Sequence, residues 1–249
     1  MKRVCIAVLL LLLLAVPAFA KTDITLPTGF TQQDFKDLST DLGLAISYMP
    51  LAPAEPLGRG VLPGFDIGVE VTGVEIDNNR SYWQKVETVS GGSVPSTLVF
   101  PKLHVQVGLP IVPIDLGIVY GEAPNTNVKM TGYEIKWAIL RGGVAIPAIA
   151  LRGAYTQLSG VSDFDITTTS ADLSISKGFA IFTPYAGYGM VWIDSKPSSP
   201  LNPTLTEEKL DESKWFVGFR LTFFPFMNMV AEADFAQVNA YSLRLNVHF

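Results

Sequence analysis

Histidine, the usual base for a serine or thiol nucleophile, occurs only at His104 and His248, and the one cysteine is Cys5. His104 stands between Lys102 and Gln106 in an alternating segment, where the ordinary reading is a histidine hydrogen-bonded to a carboxylate; His248 is the penultimate residue. Their separation gives no zinc-type ligand spacing, and no glycine-rich loop follows a strand pattern and opens a helix as a phosphate cradle would. No catalytic residue, metal or other cofactor is expected. What does recur at regular spacing is charge. Asp66, Glu70, Lys102, Asp115, Glu134, Lys136, Arg152, Asp172, Arg220, Glu232, Asp234 and Arg244 lie on the polar phase of period-two segments, seven acidic and five basic, with the sign nearly alternating from segment to segment. The chemistry open to such a set is cross-strand ion pairing.

Strands are the elements that would position these charges. Phe65, Ile67, Val69 and Val71 alternate with Asp66, Gly68, Glu70 and Thr72; Tyr133, Ile135 and Trp137 face away from Gly132, Glu134 and Lys136; Tyr241, Leu243, Leu245, Val247 and Phe249 oppose Ser242, Arg244, Asn246 and His248. Ten such segments follow one another, separated by Gly, Pro, Asn, Asp and Ser clusters. Their apolar phase carries no charge in mid-segment: Glu75, Lys129, Arg141, Lys177 and Asp194 fall at segment ends, and Tyr120, Tyr133, Tyr155, Trp192 and Trp215 share that phase. Lipid demands this placement, because a charge at the bilayer midplane costs about 2–4 kcal/mol. A soluble sandwich or barrel with its apolar phase turned inward would show the same alternation.

The start of the chain favours export. Met1-Lys2-Arg3, a leucine-rich apolar run to Val16 and Ala18-Phe19-Ala20 have the layout of a signal peptide cleaved after Ala20. The run is shorter than the roughly 20 residues of a membrane helix. Beyond Ala20 no cysteine remains, so disulfides and thiolate sites are not expected. From Lys21 onward 16 basic residues face 23 acidic ones, a formal charge of −7, which excludes nucleic acid as a partner.

With its exported start, its repeated amphipathic strands and the ending Tyr241-Ser-Leu-Arg-Leu-Asn-Val-His-Phe249, the chain resembles bacterial outer-membrane β-barrel proteins. Gly64-Phe-Asp-Ile-Gly68, Gly108-Leu-Pro110, Ser176-Lys-Gly-Phe179 and Thr183-Pro-Tyr-Ala-Gly187 are more similar to an uncharacterised barrel family than to porins. The resemblance implies an all-β fold, a closed antiparallel transmembrane barrel in the outer membrane. Its partners would be outer-membrane lipid and the barrel-assembly machinery, which would read Tyr241, Leu243, Leu245, Val247 and Phe249 as an assembly signal.

Bacterial barrels have even strand numbers, and Leu42, Leu44, Ile46 and Tyr48 also alternate, which would make eleven. The stretch from Thr31 reads equally as a helix, with Thr31 as cap, Asp34 in its first turn and Phe35, Leu38, Leu42, Ala45 and Ile46 on one face. As a plug it would leave ten strands; a further strand over 82–89 would give twelve. The organisation expected is a signal peptide at 1–20, a helical or plug segment at 21–60 and a barrel at 61–249. Residues 77–96, 121–127, 159–165, 194–214 and 237–240 would form outward loops, with 194–214 mobile. About eight strands enclose a lumen just filled by side chains, so ten with balanced charge imply a narrow, ion-pair-filled interior. A structural or surface-interaction barrel is the expected role. Gated passage of a small or apolar solute is the alternative, and a lipid-modifying enzyme a remote one.

Overall fold

The computed structural model describes residues 24–58, 61–90, 93–200 and 202–249; the expected signal peptide lies outside them. Ten strands form one closed antiparallel barrel. They are β1 Gly64–Glu75, β2 Thr97–Gly108, β3 Ile114–Glu122, β4 Lys129–Arg141, β5 Ala148–Ser159, β6 Phe164–Ser176, β7 Phe182–Pro197, β8 Glu208–Phe224, β9 Met227–Phe235 and β10 Ala240–His248. Consecutive strands pair as a meander, and β1 pairs with β10 to close it, with Asp66 opposite His248 and Glu70 opposite Arg244. Closure leaves no strand edge unpaired, which lipid requires because it offers backbone groups no hydrogen bonds.

The apolar phase faces outward. Ile67, Leu103, Ile118, Tyr133, Ile135, Trp137, Leu151, Leu173, Tyr188, Trp215, Leu243 and Leu245 are all 40% or more exposed. So large an apolar surface, far beyond the few hundred Å² a soluble monomer tolerates, makes this a transmembrane barrel and rules out the inward-turned alternative. Aromatic residues crowd both ends of it. At the end with the short turns Phe65 packs against Phe249, Phe182 against Phe219 and Phe223 edge-on against Phe224, at centroid distances of 6.5, 5.5 and 5.7 Å. Toward the end with the long loops, Tyr133 pairs with Tyr155, which shares Thr169 with Trp192. No described helix is long and apolar enough to cross a membrane.

Among the described residues two helices accompany the barrel. Helix α1, Gln32–Ile46, opens on a capping box in which Thr31 Oγ1 accepts from the Asp34 N–H and Asp34 Oδ2 accepts from the Thr31 N–H. It lies inside the barrel against β5, β6, β7 and β8. Helix α2, Ser81–Ser90, occupies the first long loop, so residues 82–89 are not a strand. Its buried Tyr82, Trp83 and Val86 are spaced for one helical face and pack onto α1.

The expected loop at 194–214 is mostly strand. β7 runs on to Pro197 and β8 starts at Glu208, with Asp194 opposite Lys209 and Ser195 opposite Glu208. This hairpin extends beyond the apolar band, where its outer face no longer meets lipid, so the period-two apolar signal disappears while the pairing continues.

Candidate functional site

The lumen is the place where the polar phase converges, and residues 24–58 thread it from one end to the other. At the loop end the Leu26 N–H donates to Asp163 Oδ2 at 2.7 Å, the Asn202 side-chain amide donates to Pro27 O at 3.1 Å, and the Thr206 N–H donates to Gln32 Oε1 at 2.9 Å. Lower on α1, Ser39 Oγ is 2.8 Å from Ser195 Oγ, and Asp41 Oδ2 accepts from Tyr82 Oη at 2.7 Å and Trp83 Nε1 at 2.8 Å. Gly43 passes so close to β7 that a Cβ there would lie 2.6 Å from Ile193 Cγ2.

Below α1 the chain is extended and its backbone is held by wall side chains. Tyr48 O accepts from Lys214 Nζ at 2.7 Å, the Leu51 N–H donates to Glu232 Oε2 at 3.0 Å and the Ala54 N–H to Ser176 Oγ at 3.1 Å. Pro53 O and Glu55 O both accept from Lys136 Nζ, and the Leu57 N–H reaches both oxygens of Asp115 at 3.1 Å. Here the segment leaves at the turn end, where a Cβ on Gly108 would be 2.2 Å from the Gly58 nitrogen.

The wall has two zones. Near the loops the inward positions are Val74, Phe100, Val119, Met130, Leu158, Phe164, Ile166, Val191, Ile193 and Leu210, which form one buried apolar cluster with Leu26, Phe30, Phe35, Leu38, Leu42 and Ile46. From mid-barrel to the turns most inward positions are polar or charged, with two small apolar clusters against the plug, Leu51 with Tyr185, Phe216 and Val230, and Ala54 with Ala148 and Ala150. Lys102 Nζ meets Glu70 Oε1 at 3.1 Å, Lys136 Nζ meets Asp115 Oδ2 at 2.8 Å, Arg152 Nε lies 3.2 Å from Glu134 Oε2 and 3.9 Å from Asp172 Oδ2, and Arg244 bonds Asp66 across the closing seam. All these residues are buried. Glycines on neighbouring strands make room: a Cβ on Gly117 would be 2.6 Å from Glu134 Oε1, and one on Gly68 would be 2.6 Å from Arg244 Nε.

Of the twelve charges read from the sequence, these nine pair among themselves; the other three find partners of other kinds. Arg220 reaches Glu55 Oε2 of the threading segment at 2.7 Å. Glu232 accepts from Tyr185 Oη at 2.8 Å and from the Leu51 N–H instead of meeting a cation. Asp234 pairs at 3.1 Å with Lys214, a residue the sequence reading had placed in a loop. Lys214 shares its phase with Gly218 and Arg220, so continuing the β8 alternation two steps back would have found it. Glu55 carried no such signal, because an extended plug segment has no periodicity, and the alternation that includes Tyr48 pointed to a strand and not to the lumen.

Tyr48 and His104 are the centre of the contact between plug and wall. His104 Nδ1 is 3.2 Å from Glu70 Oε2, so a proton on Nδ1 serves the carboxylate and leaves Nε2 to accept from Tyr48 Oη at 2.6 Å. A histidine so engaged is the carboxylate-bonded one expected. Outside the span, burial pushes the Tyr82 hydroxyl up, and donation to Asp41 adds to this. At the rim, burial would raise the Asp34 carboxyl, but hydrogen bonds from Lys85 Nζ at 2.6 Å and from Thr31 outweigh it, and its pKa is lowered. No group of three or more His, Cys, Asp or Glu residues suited to a metal occurs among the described residues.

No protein-family model and no curated protein matches the chain. Among solved structures it is similar to the N-terminal β-barrel domain of Pseudomonas aeruginosa OprF, at 11% identity over 74% of this chain and 97% of that one with a TM-score of 0.38. It is also similar to the translocator domain of the autotransporter NalP from Neisseria meningitidis, at 9% identity over 88% and 94% with a TM-score of 0.42. The KdgM porin in complex with disordered oligogalacturonate matches at 8% identity over 75% and 99% with a TM-score of 0.37. At these scores the likeness supports no inference about this chain, whose barrel is defined by its own strand pairing.

Proposed function

We propose that the protein is a bacterial outer-membrane barrel sealed by its own N-terminal segment, serving as a structural or surface-interaction barrel in which wall and plug form one rigid support. The observation that carries this reading is the unbroken threading of the lumen: an apolar helix-filled half and a charged half tied to the plug backbone by Lys136, Lys214, Asp115 and Glu232. Withdrawing the plug would break these backbone hydrogen bonds and the Arg220–Glu55 pair and would expose the shared apolar cluster, so partial opening is opposed. The loop-side surface, where α2 and the β7–β8 hairpin stand, is then the face that meets partners. We assign Tyr241, Leu243, Leu245, Val247 and Phe249, on the lipid-facing phase of β10, to recognition by the assembly machinery. Lipid would be the partner of the barrel's exterior, and the remaining chemistry is non-enzymatic, with His104 occupied by Glu70 and Tyr48.

A second reading, passage of a small solute, is favoured by one observation. Arg152 Nη1 and Nη2, Glu134 Oε2, Asp172 Oδ1, Ser174 Oγ, Glu232 Oε1 and Asp234 Oδ2 are buried without a protein hydrogen-bond partner. Polar groups in that state suit water or a small polar guest. Efflux from liposomes separates the two readings. The chain from Lys21, refolded in detergent and shown to be heat-modifiable on a gel, should retain entrapped sugars and ions as well as protein-free vesicles do; steady efflux would replace the sealed barrel with the transport reading.

A further inference from the structure

Ten strands return a chain to the side of the membrane on which it began, and Gly64 and Phe249 do lie together at the turn end, with the Phe65 N–H donating to Phe249 O at 2.7 Å. The threading segment adds one more traverse. Its Ile24 end is at the loop end, tied through Leu26 and Pro27 to Asp163 of the β5–β6 loop and Asn202 of the β7–β8 loop, while its Leu57 and Gly58 pack on Asp115 and Leu109 at the turn end. Length permits this. The fifteen helical residues of α1 rise about 22 Å, and the twelve extended residues at 47–58 reach up to about 40 Å, together more than the roughly 30 Å hydrocarbon core.

We infer that the chain crosses the membrane an odd number of times, eleven, so that its Ile24 and Phe249 ends lie on opposite sides and residues 24–30 form part of the outward face. The barrel therefore displays its own residues 24–30 at the loop-side surface, anchored there by Asp163, Asn202 and Thr206. The loop face becomes a composite of the first long loop, the β7–β8 hairpin and residues 24–30, of which Thr28 is exposed beside buried Leu26, Pro27 and Phe30. Parity and the lumen crossing carry this inference, which rests on the outer-membrane reading.

The test uses single cysteines at three exposed positions in the full chain: Thr28→Cys, Thr204→Cys in the β7–β8 hairpin loop, and Val144→Cys in the β4–β5 turn, where Val144 is fully exposed. A membrane-impermeant maleimide is applied to intact cells and again after the outer membrane is permeabilised, each variant first being shown to be heat-modifiable. T28C and T204C should label in intact cells, and V144C only after permeabilisation. If T204C and V144C separate as expected but T28C follows V144C, the eleventh crossing is overturned while the barrel stands. If T204C and V144C label together, or in the reverse order, the outward orientation fails and the display inference with it. Should T28C fail to fold, Ile24→Cys reports the same end.

Discussion

The loop-side and turn-side halves of the lumen do the same job by opposite means. Near the loops the plug is a helix, and it is held as a protein core is held, by Phe35, Leu38, Leu42 and Ile46 packed against Phe164, Ile166, Val191 and Ile193. Near the turns the plug is an extended strap whose apolar contacts are two small clusters, at Leu51 and at Ala54, and its backbone is held by wall charges. The difference follows from what each plug conformation leaves unsatisfied. A helix bonds its own N–H and C=O groups and presents side chains, whereas an extended strap exposes donors and acceptors that must be met when buried. The wall supplies mainly apolar residues opposite the first and adds charges opposite the second.

Substitutions should therefore behave differently in the two halves. The largest single effect is expected in the charged half: Arg244→Met strands Asp66, and should cost about 3–5 kcal/mol in urea unfolding of the refolded barrel, with the Asp66→Asn double variant recovering a large part. A double variant no better than the single would remove the distinction. In the apolar half Leu38→Ala should cost about 2–5 kcal/mol by leaving a cavity, with no compensating partner change available. At the boundary, Tyr48→Phe leaves His104 Nε2 buried without its donor and should cost about 1–3 kcal/mol, read from the same unfolding curves.

The smallest effect is at the rim. Asp34→Asn removes the ion pair with the exposed ammonium of Lys85 but leaves an amide oxygen to accept from the Thr31 N–H, and should cost about 1 kcal/mol. The folded-state pKa of Asp34 is lowered, so its contribution is present above the ordinary carboxylate range and is lost as pH falls through that range toward the lowered value. Wild type and variant should thus converge in acid; a gap that widens as pH falls would contradict the assigned sign.

Strand positions were legible because lipid on one face and charge on the other impose a strict period of two, as in β1 and β4. The apolar zone of the lumen was not, since there both faces of a strand are hydrophobic: Val99 and Phe100, Ile118 and Val119, or Val191, Trp192 and Ile193 run on without alternation. Helix α1 was ambiguous for a related reason. Leu42, Leu44, Ile46 and Tyr48 fit a strand, and because α1 is buried on nearly all sides from Leu38 onward its apolar residues are not confined to the face of Phe35, Leu38, Leu42, Ala45 and Ile46; the Thr31–Asp34 cap was the discriminating signal. The β7–β8 extension was hidden because strand pairing above the membrane needs no apolar phase. Most of the ion pairs could be read from the polar phase, but the contribution of the plug to the site could not, because its hydrogen bonds come from backbone groups that every sequence possesses.

The most direct test of the central claim, that residues 24–58 are a fixed seal and not a gate, is a lock between plug and wall. Ser39 and Ser195 face each other at 2.8 Å between hydroxyl oxygens, so Ser39→Cys/Ser195→Cys places two thiols where a disulfide can bridge α1 to β7. Planar-bilayer conductance of this variant is recorded oxidised and again after reduction. A fixed seal predicts the same closed trace in both states, matching wild type; channels that open only when the bridge is reduced would show that the plug moves, and would contradict the account.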